Sequence, residues 1–317
     1  MFGLLFLGYF IWEPGAVVND GRHDRGTNGM WLAHGWLGGD DWFQTYVKDT
    51  AAYRSDVALH SLAVRCEKNH ITDLFPHLCP CGQDGSLPSI NPEQVERFLD
   101  ALGSKVRVFP WIGGPGPDEA YYPDAEWRKR FCETVKNLLE AHPRLAGVQL
   151  NIEPLPTGNV DFLKLLEELH GALPKGKLLS IAAYPPPTHW HPHTEVHWDE
   201  SYFREVAKRT DHIAVMMYDT ALRQSKIYRK LMADWTEEVL LWSEGKPVLL
   251  GVPTYSDAGV NYHDPSIENL TNSLSGIHAG LKRFKSLPEN YAGVAIYCDW
   301  ETDASEWQVL KESFLKP

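Results

Sequence analysis

AGVQLNIEPLP, residues 146–156, lies between two segments with the apolar spacing of helices. Side chains alternate between the faces of a strand, so Gln149, Asn151 and Glu153 share one face and step toward one end of the run. The opposite face is apolar. Polar groups in a row on a buried strand need partners, because an unpaired buried polar group is costly. The row ends in a single carboxylate, Glu153, followed by Pro154.

Strand-length apolar runs recur outward from this stretch: 30–36 (MWLAHGW), 71–78 (ITDLFPHL), 105–111 (KVRVFPW), 177–184 (KLLSIAAY), 212–218 (HIAVMMY), 247–253 (PVLLGVP) and 292–298 (AGVAIYC). Amphipathic segments separate them at 91–103, 125–142, 160–172, 199–209, 225–244 and 266–286, and 305–315 closes the chain. NPEQVERFLDALG has an Asn cap, Pro at the first helical position and Gly at its end. Strands that are nearly all hydrophobic and alternate with helices imply parallel pairing. Counting 146–153, eight such units suggest an α/β fold of the (β/α)8 TIM-barrel type. No Ser/Gly linker divides the chain, so residues 29–317 read as one domain and residues 1–28 as an N-terminal extension.

The active site of such a barrel gathers where the strands end. Those ends carry His34, Trp36, His77, Trp111, Asn151 and Glu153 in the first half. The second half adds Tyr184, Tyr218, Asp219, Tyr255, Tyr297, Asp299 and Trp300. Aromatic rings around a few carboxylates suit a sugar: ring faces stack on pyranose C–H surfaces, and an acid protonates a glycosidic oxygen.

Composition agrees. The 317 residues carry 42 acidic and 30 basic side chains, a net charge of −12, which argues against a nucleic-acid partner. Twelve Trp and 13 Tyr are many for this length. Five Cys do not make a disulfide framework. Cys79 and Cys81, with His77 nearby, read as small buried thiols rather than metal ligands. THWHPHTEVHW, 188–198, reads as a rim loop rather than a zinc site, despite His189, His191, His193 and His197. No metal or cofactor is expected. The start, MFGLLFLGYFIW, is too short to span a bilayer and has no positive flank. It is either the remnant of a truncated membrane anchor, the preferred reading, or a packed strand. A secreted, periplasmic or membrane-anchored location is favoured accordingly. Asn269-Leu-Thr271 matches a glycosylation sequon but falls in an expected helix.

These motifs resemble glycoside hydrolase family 18, the chitinase and endo-β-N-acetylglucosaminidase group. That family's fourth strand reads apolar-D-G-x-D-x-D-x-E, and Leu145 to Glu153 aligns with it without a gap. Its sixth strand ends M-x-Y-D, matched by Met216 to Asp219. Its third strand ends S-x-G-G; here Trp111-Ile-Gly-Gly114 keeps the glycines. Its G-V-M-x-W resembles Gly293 to Tyr297. Ala146, Gln149 and Asn151 stand where the family has acids, and Trp111 where it has serine. The resemblance implies that Glu153 is the general acid and that the substrate's own acetamide oxygen attacks the anomeric carbon. It implies Tyr218 and Asp219 as further catalytic residues, although a core Tyr and a capping Asp are the plain alternatives. Tyr297 or Trp300 would floor the reacting subsite.

Asn151 can accept the acetamide N–H through its carbonyl, an arrangement similar to the N-x-E of family 85 endo-β-N-acetylglucosaminidases. With a neutral Asn151 no proton has to be shared between coupled acids, so Gln149 is expected to serve as its hydrogen-bonding support. Asn151→Asp should then regain activity when Gln149 is also made Asp. The function implied is a retaining glycoside hydrolase acting on β-linked N-acetylglucosamine glycans. The alternatives are a non-catalytic carbohydrate-binding barrel, like the chitinase-like lectins, and a two-carboxylate barrel glycosidase using Asp299, Glu301 or Asp219. Lectins of that kind typically lack the glutamate that this chain keeps.

Overall fold

The computed structural model describes residue 9 and residues 11–116, 120–256 and 260–317. Nine parallel strands form one curled sheet: β1 (Asn28–Leu32), β2 (Ile71–Pro76), β3 (Arg107–Val108), β4 (Trp111–Pro115), β5 (Gly147–Glu153), β6 (Leu178–Ala183), β7 (His212–Val215), β8 (Val248–Pro253) and β9 (Tyr291–Tyr297). Their order is β3-β2-β1-β9-β8-β7-β6-β5-β4. The chain is a single α/β domain.

Helices follow the strands: α1 (Asp56–Lys68), α2 (Pro92–Leu102), α3 (Ala125–Ala141), α4 (Val160–Ala172), α5 (Glu200–Lys208), α6 (Ser225–Trp242), α7 (Leu270–Leu281) and α8 (Ala304–Ser313). Most begin at a side chain that accepts an orphan backbone N–H: Asn91, Asp124, Asn159, Asp199, Asn269 and Asp303, each contributing about 1 kcal/mol. Asn269 of the sequon is thus a helix cap. α1 was not evident in the sequence. Its buried face is only Leu59, Leu62 and Cys66, too narrow a stripe to stand out.

Three expected strands differ. The run 105–111 is broken into β3 and β4 at Phe109-Pro110, because proline has no N–H for a ladder. β1 stops at Leu32 and β7 at Val215, short of the runs 30–36 and 212–218. Beyond them Gly35 (φ +97°) and Asp219 (φ +59°) leave extended geometry.

Bulky Trp31, Phe75 and Phe109 meet small Ala214 and Ala295 in one buried cluster, so large and small side chains interdigitate. The larger core comprises apolar helix faces such as Phe162, Leu165 and Leu169 of α4 packed with Val148, Leu150 and Ile152 of β5. Ahead of β1, Trp12 O accepts from Lys226 Nζ at 2.6 Å and Ala16 N–H donates to Ser275 O at 2.9 Å, against α6 and α7. Most of the apolar start, residues 1–8 and 10, lies outside the described residues. Among the described residues no helix is long and apolar enough to cross a membrane.

Candidate active site

β5 carries Glu153 to its C-terminal end, with Asn151 two residues back on the same face. Gly113 of β4 pairs with Asn151 at φ +118°, and a Cβ there would come 2.0 Å from the Asn151 carbonyl. The glycine therefore lets the strands approach beside the acid. Asn151 Nδ2 donates to Glu153 Oε1 at 2.6 Å, and the Tyr184 hydroxyl donates to Oε2 at 3.1 Å. Asn151 Oδ1 is buried and without a hydrogen-bond partner. Solvent reaches Glu153 through the cleft it lines, yet protein encloses the carboxyl group. That burial raises its pKa above the usual value; the Asn151 and Tyr184 donors pull it down, and the charge of Asp219 adds to the rise.

Below Asn151 the polar row continues with fixed polarity. Trp31 Nε1–H donates to Gln149 Oε1 at 2.7 Å, and Gln149 Nε2 donates to Ser180 Oγ at 3.2 Å. Ser180 Oγ lies 2.9 Å from His212 Nδ1, and His212 Nε2 lies 3.5 Å from Asp73, which Arg107 holds through two 2.7 Å bonds. Burial lowers the His212 pKa to about 4, so its ring is neutral. Gln149 thus binds Trp31 and Ser180, not Asn151 as expected. The reason is reach: at this register its amide lies level with Ser180 on the neighbouring strand.

Glu153 opens into a cleft of about 460 Å³ lined also by Tyr184, Met216, Tyr218, Asp219 and, from the loop after β6, His191, His193 and His197. The histidines therefore do form one wall of the site. The Tyr255 hydroxyl donates to Asp219 Oδ1 from beneath. A second cleft of about 490 Å³ is lined by His34, Trp42, Lys48, Tyr53, His77, Trp111, Tyr297 and Trp300. Tyr297 links the two, stacked on Tyr218 with ring centroids 5.0 Å apart and edge-on to Trp300 at 5.6 Å. Trp111 Nε1 is buried with no partner.

The sequence model of the Glycosyl hydrolases family 18 matches residues 43–313. The chain belongs to glycosyl hydrolase family 18. Solved structures with the same fold include the Bacillus cereus spore cortex-lytic enzyme SleL, with 13% identity, 92% of this chain and 76% of that one covered, and a TM-score of 0.60. A chitinase from Bacteroides thetaiotaomicron gives 15% identity, 91% and 97% coverage and a TM-score of 0.57. A fungal family 18 endo-β-N-acetylglucosaminidase gives 14%, 90% and 96%, and 0.56. No curated protein matches the sequence.

Within this family 18 chain the strand-end residues divide. Glu153, Tyr184, Tyr218 and Asp219 line the first cleft, and His77, Trp111, Tyr297 and Trp300 the second. Asn151, Trp36, Tyr255 and Asp299 line neither. Trp36 is buried against Tyr53 and Phe98. Tyr255 supports Asp219 from below. Asp299 accepts the Ala33 N–H at 2.9 Å, and Glu301 accepts from Ser256 N and Oγ at 2.9 and 3.1 Å. Both carboxylates accept from loop groups, and neither lines either cleft. Trp42, Lys48 and Tyr53 were missed because they sit in the connection after β1, in and between the short helices Asp40–Thr45 and Ala51–Arg54, with no strand-end signal. Among the described residues no three His, Cys, Asp or Glu side chains converge to hold a metal ion.

Proposed function

We propose that the chain is a retaining glycoside hydrolase that cleaves β-linked N-acetylglucosamine glycans with the substrate's acetamide as nucleophile. One observation carries this reading: beside the raised-pKa acid Glu153, the Asn151 carbonyl oxygen is buried, unpartnered and two residues away on the same face. A carbonyl there accepts an N–H, which an acetamide supplies. Glu153 donates its proton to the glycosidic oxygen as the acetamide oxygen closes on the anomeric carbon. The leaving group departs with that proton and an oxazolinium ion remains. Glu153, now ionised, takes a proton from water, which opens the ring with net retention. Burial favours the protonated form of Glu153, and the negative charge of Asp219, which faces the same cleft, adds to that.

The same reading takes the sheet as a closed (β/α)8 barrel. β3 and β4 stand at opposite ends of the strand order but are joined through Phe109 and Pro110, and Leu78 N–H bonds Trp111 O at 2.8 Å while Ala146 N–H bonds Val108 O at 2.9 Å. The two clefts on either side of Tyr297 suit several sugar units, with Trp300 a stacking platform, 42% exposed. A secreted, periplasmic or membrane-anchored location goes with a polymeric glycan substrate of this kind.

The test is a hydrolysis panel of chitin oligosaccharides, peptidoglycan and N-glycans, with the anomeric configuration of the first product followed by NMR. Retention on acetylated substrates is expected. Equal rates on de-N-acetylated substrates, or inversion, would remove the acetamide from the mechanism.

A further inference from the structure

Behind Asp219 lies a buried cluster that the chemistry above does not use. Glu268, 1% exposed, accepts the Thr220 N–H at 3.2 and 3.0 Å with its two carboxylate oxygens. Tyr262 O accepts the Ala221 N–H at 2.8 Å. Between them they hold a turn in which Asp219 and Ala221, neither of them glycine, have φ of +59° and +55°. Such conformations persist only where the surroundings impose them. The turn aims Asp219 into the cleft.

His263, 3% exposed, lies flat on Tyr255, ring centroids 4.1 Å apart. Its Nε2 is 3.0 Å from the Tyr255 carbonyl. A carbonyl only accepts, so Nε2 bears a hydrogen. Nδ1 has no hydrogen-bond partner and lies 3.5 Å from Asp219 Oδ1 and 3.9 Å from Glu268 Oε2. A neutral ring would therefore turn its Nδ1 lone pair toward two carboxylates. A second proton converts both repulsions into attractions. Burial by itself lowers the His263 pKa, but Asp219 and Glu268 outweigh it and the pKa is raised. Burial pushes the Glu268 carboxyl up, to about 7. The groups facing His263 are Asp219 after β7, Tyr255 after β8 and Glu268 on its own loop. Tyr228 of α6 faces Glu268 from behind, and neighbouring Asp264 is paired with Arg223 at 2.9 Å.

We propose that His263 and Glu268 are positioning residues: His263 is held as an imidazolium between Asp219 and Glu268 and, with Glu268 on the turn, keeps Asp219 aimed into the cleft beside Glu153. The catalytic part rests on the function proposed above; the charge state of His263 does not.

Two readouts on the full chain separate them. Imidazole NMR titration, with the His263 signal assigned by its loss in His263→Gln, should show His263 still charged above its ordinary pKa of about 6.5. Glu268→Gln keeps an acceptor for Thr220 and removes the charge, so it should lower that pKa while circular dichroism stays unchanged. On an N-acetylated chromogenic substrate, His263→Gln should move the acid limb of kcat/KM to higher pH by about one unit, because the positive charge beside the cleft carboxylates is gone. Its KM should change less than kcat, and Glu268→Gln should shift the limb the same way by less. A wild-type His263 that titrates below 6.5 overturns the proposal whether or not the chain cleaves glycan. An acid limb unmoved in both variants overturns it as well. A charged His263 in a chain inert toward every N-acetylated substrate upholds the ion cluster and overturns the glycosidase reading instead.

Discussion

Asn151 gives its amide to Glu153 Oε1 over 2.6 Å and keeps its own carbonyl oxygen buried and unpartnered. A neutral amide does both at once: two donors on one side, an acceptor on the other. An aspartate at 151 would meet Glu153 as a second carboxylate and would have to share its proton. The chain dispenses with that sharing, and the polar groups beneath, Gln149, Ser180 and neutral His212, carry no charge either.

Glu153→Gln should keep glycan binding and lower kcat by roughly 10²–10⁴. The acid must be protonated to act, so wild-type kcat/KM should fall as pH rises through the raised pKa of Glu153. Steady-state kinetics across pH checks both. Unchanged turnover in the variant would end the role of Glu153.

Asn151→Ala should slow N-acetylated substrates by about tenfold or more, the equivalent of one lost charge-linked hydrogen bond of ~1.5–3 kcal/mol. It should also weaken inhibition by thiazoline analogues of the oxazoline, since the acceptor for the acetamide N–H is gone. Removing the Asn151 donor removes a lowering influence on Glu153, so the basic limb should move to higher pH. Inhibition constants for wild type and variant decide it.

Gln149 binds Trp31 and Ser180 and is fully buried, so the expected rescue of Asn151→Asp by Gln149→Asp should fail. The shorter acid would leave the Trp31 N–H without its acceptor and bury a carboxylate. Gln149→Leu should destabilise by ~1–3 kcal/mol for the unpaired donor it leaves. Denaturant unfolding measures that loss, and the 149/151 double-mutant cycle on kcat/KM measures the coupling. Restored activity in the double Asp variant would contradict the hydrogen-bond assignment.

Asp299 tests the fold by pH. Burial raises its pKa to about 7 from 3.8, so the folded state holds this proton more tightly than the unfolded chain. Its contribution is therefore fully present below about pH 4 and is lost as pH rises to about 7. Asp299→Asn keeps an acceptor for the Ala33 N–H and should flatten that slope, raising Tm at pH 7 relative to wild type. Thermal melts at pH 4, 5.5 and 7 would show it; an unchanged slope would mean that another group sets it.

Local rules made much of this protein legible in its sequence. A period of two puts Gln149, Asn151 and Glu153 on one face whatever surrounds them, and Asn91, Pro92 and Gly103 bracket a helix by their own backbone preferences. The order of strand-end motifs then carried the family. What the tertiary structure alone decided is which distant groups became neighbours. Trp31 reaches Gln149 across 118 residues, and His263 and Glu268 close on Asp219 and Thr220, 44 and 48 residues earlier. Trp36 and Asp299 sit at strand ends like the others, yet are turned into packing and loop support. A hydrogen bond or ion pair between remote segments depends on sheet curvature and loop path, which no short window of sequence contains. Periodicity specifies the face of a side chain, and only the closed contacts of the fold specify its partner.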